Sequence, residues 1–177
     1  MIKVNSSQFN YKYGDQIHFP YSIASLVGYI QSKEEMVNEF SFEKSFVLRD
    51  NVKENIQECK DSDILLCACY VWNWEITIHL AKEVKKINPN CLIIFGGPQI
   101  PGFSEGFFKK FPFIDIIVHG EGEHVLANIL EKYLQDKNYF EIKGIETKEF
   151  RNPPQERIND LDSLPSPYLT NTVWKLV

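Results

Sequence analysis

The chain has 177 residues, of which 44% are hydrophobic and 14% aromatic, and its formal net charge is −5. That length and apolar content specify one domain, or one domain with a tail, able to bury a sizeable core, and they exclude a disordered chain. The acidic balance argues against a nucleic-acid surface, and no apolar run of about 18 residues is present to span a membrane. Met1 to Asn5 lacks the apolar segment of a signal peptide, so a cytoplasmic location is expected.

Ile2 to Val4 is a candidate first strand, and Asn5 to Phe19 reads as a long polar and aromatic loop. Pro20 suits the first position of a helix, and Ile23, Leu26, Val27 and Ile30 follow at helical spacing. Residues 38–48 alternate in part and predict a second strand, followed by a short helix from Asn51 to Cys59 with Val52 and Ile56 inward. Asp63 to Cys69 is an apolar run typical of a strand buried on both faces. Ile76, Leu80, Ala81, Val84 and Ile87 mark the next helix, which Asn88-Pro89-Asn90 stops. Cys91 to Phe95 is a buried strand that breaks into Gly96-Gly97-Pro98. A short helix is expected around Phe103–Phe111, then a strand from Phe113 to Val118. After His119-Gly120-Glu121-Gly122-Glu123 comes a helix with Val125, Leu126, Ile129, Leu130, Tyr133 and Leu134 on one face.

This alternation implies a parallel sheet with helices on both faces. Right-handed crossovers then gather three loops at the strand carboxyl ends: Tyr70–Trp74, Gly96–Pro101 and His119–Glu123. Ligands of open α/β sheets bind at that edge. Gly96 and Gly97 fit close approach of a ligand to the backbone, and equally a tight strand-to-helix turn. Trp72 and Trp74 fit either ring stacking or the core, and Glu121 and Glu123 fit either general bases or partners of a helix dipole. Ile142–Thr147 reads as one more edge strand, and the Pro-rich stretch from Asn152 to Pro167 as an extended tail whose apolar residues lie on another surface. The domain organisation expected is therefore an α/β domain over residues 1–138, with an edge strand and linker over 139–177.

Several chemistries are excluded or disfavoured. The acidic pair, aspartate and lysine of a response-regulator receiver are missing, as is a Walker phosphate loop. Flavin binding would need a Ser/Thr-rich phosphate loop after the first strand, where Asn5-Ser6-Ser7-Gln8 is a weak match. Cys59, Cys67, Cys69 and Cys91 show neither zinc spacing nor a disulfide framework.

Four features in order carry a resemblance: Pro20 opening the first helix, Gly96-Gly97-Pro98 after the fourth strand, His119-Gly120-Glu121-Gly122-Glu123 after the fifth, and the tail Ile158-x-Asp160-Leu161-Asp162-x-Leu164-Pro165-x-Pro167-Tyr168. Together they resemble the N-terminal cobalamin-binding domain of the B12-dependent radical SAM enzymes. The resemblance implies a flavodoxin-like (Rossmann-like), doubly wound, parallel five-stranded sheet of order 2-1-3-4-5. It also implies a corrinoid across the strand carboxyl ends, with its nucleotide tail near the Gly-Gly loop. On that reading Gly96, Gly97 and Pro98 border the tail. Tyr70, Val71, Trp72 and Asn73 edge the ring, and Gly120, Glu121 and Gly122 form a thin loop beside it.

The cobalt-ligating motif of classical cobalamin domains, Asp-x-His-x-x-Gly, is replaced by Asp15-Gln16-Ile17-His18-Phe19-Pro20. Base-off cobalamin without a protein histidine ligand, the usual state in the radical SAM branch, is what the resemblance implies. The Cys-x3-Cys-x2-Cys motif for a [4Fe-4S] cluster is missing, so that cluster and S-adenosylmethionine are assigned to a C-terminal radical SAM domain outside this sequence. The implied reaction of the whole enzyme is methyl transfer or another radical reaction. The competing readings are a B12-free scaffold or docking domain of a radical SAM protein and a flavodoxin-like module. Filling of the crevice by Trp72 or Tyr21 would favour the scaffold.

Overall fold

The computed structural model describes residues 1–177. Its elements in chain order are β1 (Ile2–Ser7), the hairpin strands β2 (Lys12–Tyr13) and β3 (Gln16–Ile17), α1 (Tyr21–Gln31), β4 (Phe40–Phe46), α2 (Val52–Glu58), β5 (Ile64–Ala68) and α3 (Trp74–Ile87). They continue with β6 (Leu92–Gly96), α4 (Phe107–Lys110), β7 (Ile116–Val118), α5 (Glu123–Gln135), β8 (Ile145–Thr147) and α6 (Thr172–Lys175).

The main sheet has six strands in the order β4-β1-β5-β6-β7-β8. The first five are parallel, and in order of appearance they read 2-1-3-4-5, as expected. β8 adds to the edge antiparallel to β7, pairing Val118 with Ile145. Because side chains alternate along a strand, each buried strand feeds two layers. Ile64, Leu66 and Ala68 face a core with α1, α5 and α6, while Leu65 and Cys67 face a second core with α2, α3 and α4. Both faces of β5 are thus apolar, which is why its sequence reads as an unbroken hydrophobic run. The helix periodicity has the same origin: Leu80, Ala81 and Val84 of α3 are fully buried, while Ile87 at its end is exposed.

Some local expectations are corrected. β1 runs on to Ser7, because Ser6 and Ser7 pair with both β4 and β5. The loop that follows contains an exposed hairpin turned at Gly14, whose φ is +58°. Pro20 caps α1 rather than entering it: its carbonyl accepts the Ala24 N–H, and helical geometry begins at Tyr21. The helix after β6 shrinks to one turn, and Phe103 projects into solvent.

The tail lies on the domain. Val173 and Leu176 are buried in the first core, and the Leu176 carbonyl accepts the Ser45 N–H at 2.8 Å. α6 crosses α1 at Gly28, where an added Cβ would lie 3.5 Å from Thr172 Oγ1. No helix is long and apolar enough to cross a membrane.

Candidate functional site

At the carboxyl ends of β5, β6 and β7 the first core is incompletely filled. A cavity of about 250 Å³ lies between the sheet and helices α1 and α5. Leu66, Ala68, Ile94, Gly96 and Val118 form its sheet wall, Ser22, Ser25 and Leu26 its α1 wall, and Gly122, Glu123 and Leu126 its α5 wall. The small residues Ala68 and Gly96 are paired neighbours in the sheet register, and together they hollow the floor. A Cβ on Gly96 would meet only Val118 Cβ at 3.7 Å, so a side chain there would project into the space. The polar groups are few: Ser25 Oγ donates to Glu123 Oε1 at 2.9 Å, and the Ser22 and Tyr70 hydroxyls hydrogen-bond to each other.

A larger depression of about 540 Å³ adjoins it over the ends of β1 and β5. Tyr11, Tyr13, His18, Phe19, Tyr21, Tyr70 and Trp72 supply its aromatic lining, with Gln8 and Asn10 beneath. Tyr70 and Trp72 stack at 4.5 Å with 13° between planes. Trp72 is positioned by its indole N–H, which donates to Asn10 Oδ1 at 3.3 Å, and by Arg49, which donates to its carbonyl. His18 stands edge-on to Tyr13 at 5.6 Å, and its backbone carbonyl accepts from Asn10 Nδ2 at 3.0 Å. Tyr21 and Trp72 stay half-exposed at the rim, and neither fills the cavity.

Of the residues singled out from the sequence, Tyr70, Gly96, Gly97, Gly120 and Gly122 line the cavity, and Trp72 lines the depression. Val71 and Pro98 point to solvent. Asn73 is fully buried with its amide committed to the fold: Oδ1 accepts the Tyr70 N–H at 2.8 Å and Nδ2 donates to the Ala68 carbonyl at 3.0 Å. Glu121 reaches outward and accepts the Ile158 N–H at 2.6 Å, pinning the tail. His119 turns away from the cavity toward Glu146 at 3.2 Å, where Ser104 also donates. The α1 wall was missed, because Ser22 and Ser25 fall between the apolar positions of the helix and read as solvent-facing.

No protein-family model matches the chain. The chain is 33% identical over 146 residues to the cobalamin-dependent radical SAM methyltransferase TokK of Streptomyces tokunonensis, a match covering 80% of this chain and 21% of that protein. It is 32% identical, with the same coverage, to the 2-(S-pantetheinyl)-carbapenam-3-carboxylate methyltransferase of Streptantibioticus cattleyicolor. Its fold matches the radical S-adenosylmethionine methyltransferase TsrM of Kitasatospora setae, solved with cobalamin and a [4Fe-4S] cluster bound, with a TM-score of 0.62 at 17% identity over 94% of this chain and 31% of that one.

The chain is a homologue of the B12-dependent radical SAM enzymes. It spans about a fifth of the length of the curated relatives it matches. The part of the B12-dependent radical SAM enzymes that it resembles is the cobalamin-binding domain, whose expected sheet order it has. Its own cysteines do not suit the cluster of those enzymes. All four are buried. Burial pushes the Cys59 and Cys91 thiols up to about 12, and Cys67 and Cys69 well above their ordinary value. Iron–sulfur clusters need several thiolates converging on one point, and no three metal-ligating side chains of this chain are so grouped.

Proposed function

We propose that this chain is a cobalamin-binding domain that presents base-off corrinoid to a radical SAM domain of the same polypeptide. The open apolar cavity at the sheet's carboxyl edge carries the reading. Its floor of Ala68 and Gly96 admits a flat aromatic group, and Tyr21 and Trp72 leave it free. At about 250 Å³ it falls short of the roughly 300–1,000 Å³ typical for a whole drug-sized ligand, so it suits part of one. The nucleotide tail fits there, and the macrocycle then rests over the aromatic depression beside Tyr70 and Trp72.

Cobalamin would supply a transferable methyl group or a redox-active cobalt. The chain's own residues bind and orient it. Leu26, Leu66 and Leu126 surround the tail, Gly120 and Gly122 keep the flanking loop thin, and the stacked Tyr70 and Trp72 rings face the macrocycle. S-adenosylmethionine and the [4Fe-4S] cluster belong, on this reading, to the radical SAM domain.

Titration of the full-length protein with hydroxocobalamin and methylcobalamin, followed by absorbance and calorimetry, tests the proposal. Saturable binding with a base-off spectrum is expected. No binding would replace it with the scaffold reading, and a yellow, flavin-like chromophore on the purified protein would replace it with the flavodoxin-like one.

A further inference from the structure

The apolar cavity and the aromatic depression share one wall, formed by Tyr21, Ser22 and Tyr70. Across that wall the Ser22 and Tyr70 hydroxyls are hydrogen-bonded to each other, tying the end of β5 to the first turn of α1. The Tyr70 ring is braced from behind by Trp72, which Asn10 and Arg49 hold in turn. The Tyr70 backbone N–H is fixed by Asn73. The hydroxyl bridge is therefore a polar strut in an aromatic partition, and it joins the first turn of α1 to the residues that follow β5.

A ligand with one end in the cavity and its bulk over the depression straddles this partition. We propose that the Ser22–Tyr70 bridge is a gate for the nucleotide tail of the corrinoid: it parts when the tail enters and is closed in the unliganded chain. The inference rests on the cobalamin reading above. The bridge is a single neutral hydrogen bond, and breaking one sets a modest barrier while leaving the surrounding fold intact. The gate is specific to ligands that carry a tail. A corrinoid without one occupies the depression alone and never crosses the partition.

Stopped-flow mixing of the full-length protein with hydroxocobalamin, and in parallel with the tail-less corrinoid cobinamide, tests the gate. Tyr70→Phe keeps the ring on Trp72 and removes only the hydroxyl, and Ser22→Ala removes the partner from the other element. Each is expected to speed hydroxocobalamin association by roughly two- to tenfold, the worth of one net hydrogen bond. The double variant should show no further gain, since both substitutions remove the same bridge. Cobinamide association should change by less than hydroxocobalamin association in all three, because both residues border the depression that either corrinoid occupies and only the tail meets the bridge. Unaltered hydroxocobalamin rates in both single variants would overturn the gate while leaving the cofactor assignment standing. Equal acceleration of both corrinoids would also overturn it, as general loosening of the edge. Failure of the unmodified protein to bind either corrinoid would overturn the cofactor assignment and the gate together.

Discussion

A Cβ added to Gly97 would sit 2.7 Å from the carbonyl oxygen of Cys69 and 3.1 Å from its nitrogen. The first turn after β6 is thus packed directly on the backbone that leaves β5, locked by the Cys69 N–H donating to the Gly96 carbonyl at 2.7 Å. The φ of +105° at Gly97 adds strain for any other residue. Gly97→Ala is expected to cost about 2–4 kcal/mol in urea unfolding, through backbone collision and conformational strain. A loss of less than about 0.5 kcal/mol would show that the turn yields easily.

Gly96 is the better probe of the cavity. A Cβ added there meets only Val118, and the cavity lies beyond it to take the rest of a small side chain. Gly96→Val should leave the melting temperature within a few degrees of the parent and weaken corrinoid binding by about tenfold or more, as expected from overfilling a packed site. Parallel melting and titration separate the two effects, and unchanged affinity would move the tail out of this cavity.

Asn73 is expected to behave as a structural residue. Asn73→Ala leaves the Tyr70 N–H and the Ala68 carbonyl without their partners. Two unsatisfied groups near a fully buried position should lower stability by about 2–4 kcal/mol in denaturant unfolding. Little change would show that water replaces the amide.

His18 tests the axial coordination. It lines the depression directly after the exposed hairpin. If the cofactor is bound without a protein nitrogen on cobalt, His18→Ala leaves the absorbance spectrum and electron paramagnetic resonance of the bound cobalamin unchanged. A new spectrum in the variant would make His18 the ligand.

Stability should fall in alkali. Burial raises Cys59 and Cys91 from 9.0 to about 12, and Tyr139 from 10.0 to about 12. Each is neutral in the fold at pH values where the unfolded chain has lost the proton. Their contribution is therefore complete below pH 9 and declines as pH rises toward 12. Each group steepens the fall by about 1.4 kcal/mol per pH unit while only the unfolded form is ionised. Urea midpoints measured from about pH 7 to about pH 11 should be flat at first and then drop. A midpoint that holds steady through that range would contradict the burial of the thiols.

The strands were legible because both faces of β5 and β6 are buried, which leaves continuous apolar runs at Ile64–Ala68 and Leu92–Gly96. Their order came from the motif resemblance, since periodicity alone does not say which strand neighbours which. The Gly-Gly loop was found, but not the reason for both glycines: both line the cavity, but a Cβ at Gly97 would collide with Cys69, distant in sequence, whereas one at Gly96 would meet only Val118. The hairpin at residues 12–17 was invisible because two-residue strands have no period to read. Ser22 and Ser25 were passed over because hydroxyls beside a helix's apolar stripe look the same whether they meet water or a cavity.

Helix α1 has different duties on its two sides. One side is the cavity wall, through Ser22, Ser25 and Leu26, while Gly28 receives α6 so closely that Thr172 lies within van der Waals reach of where a side chain would begin. The C-terminal tail thus has mechanical purchase on the cavity: a pull on α6 is borne by the same rod that sets the width of the cleft. The wall of the cleft and the seat of the tail are thus one and the same helix.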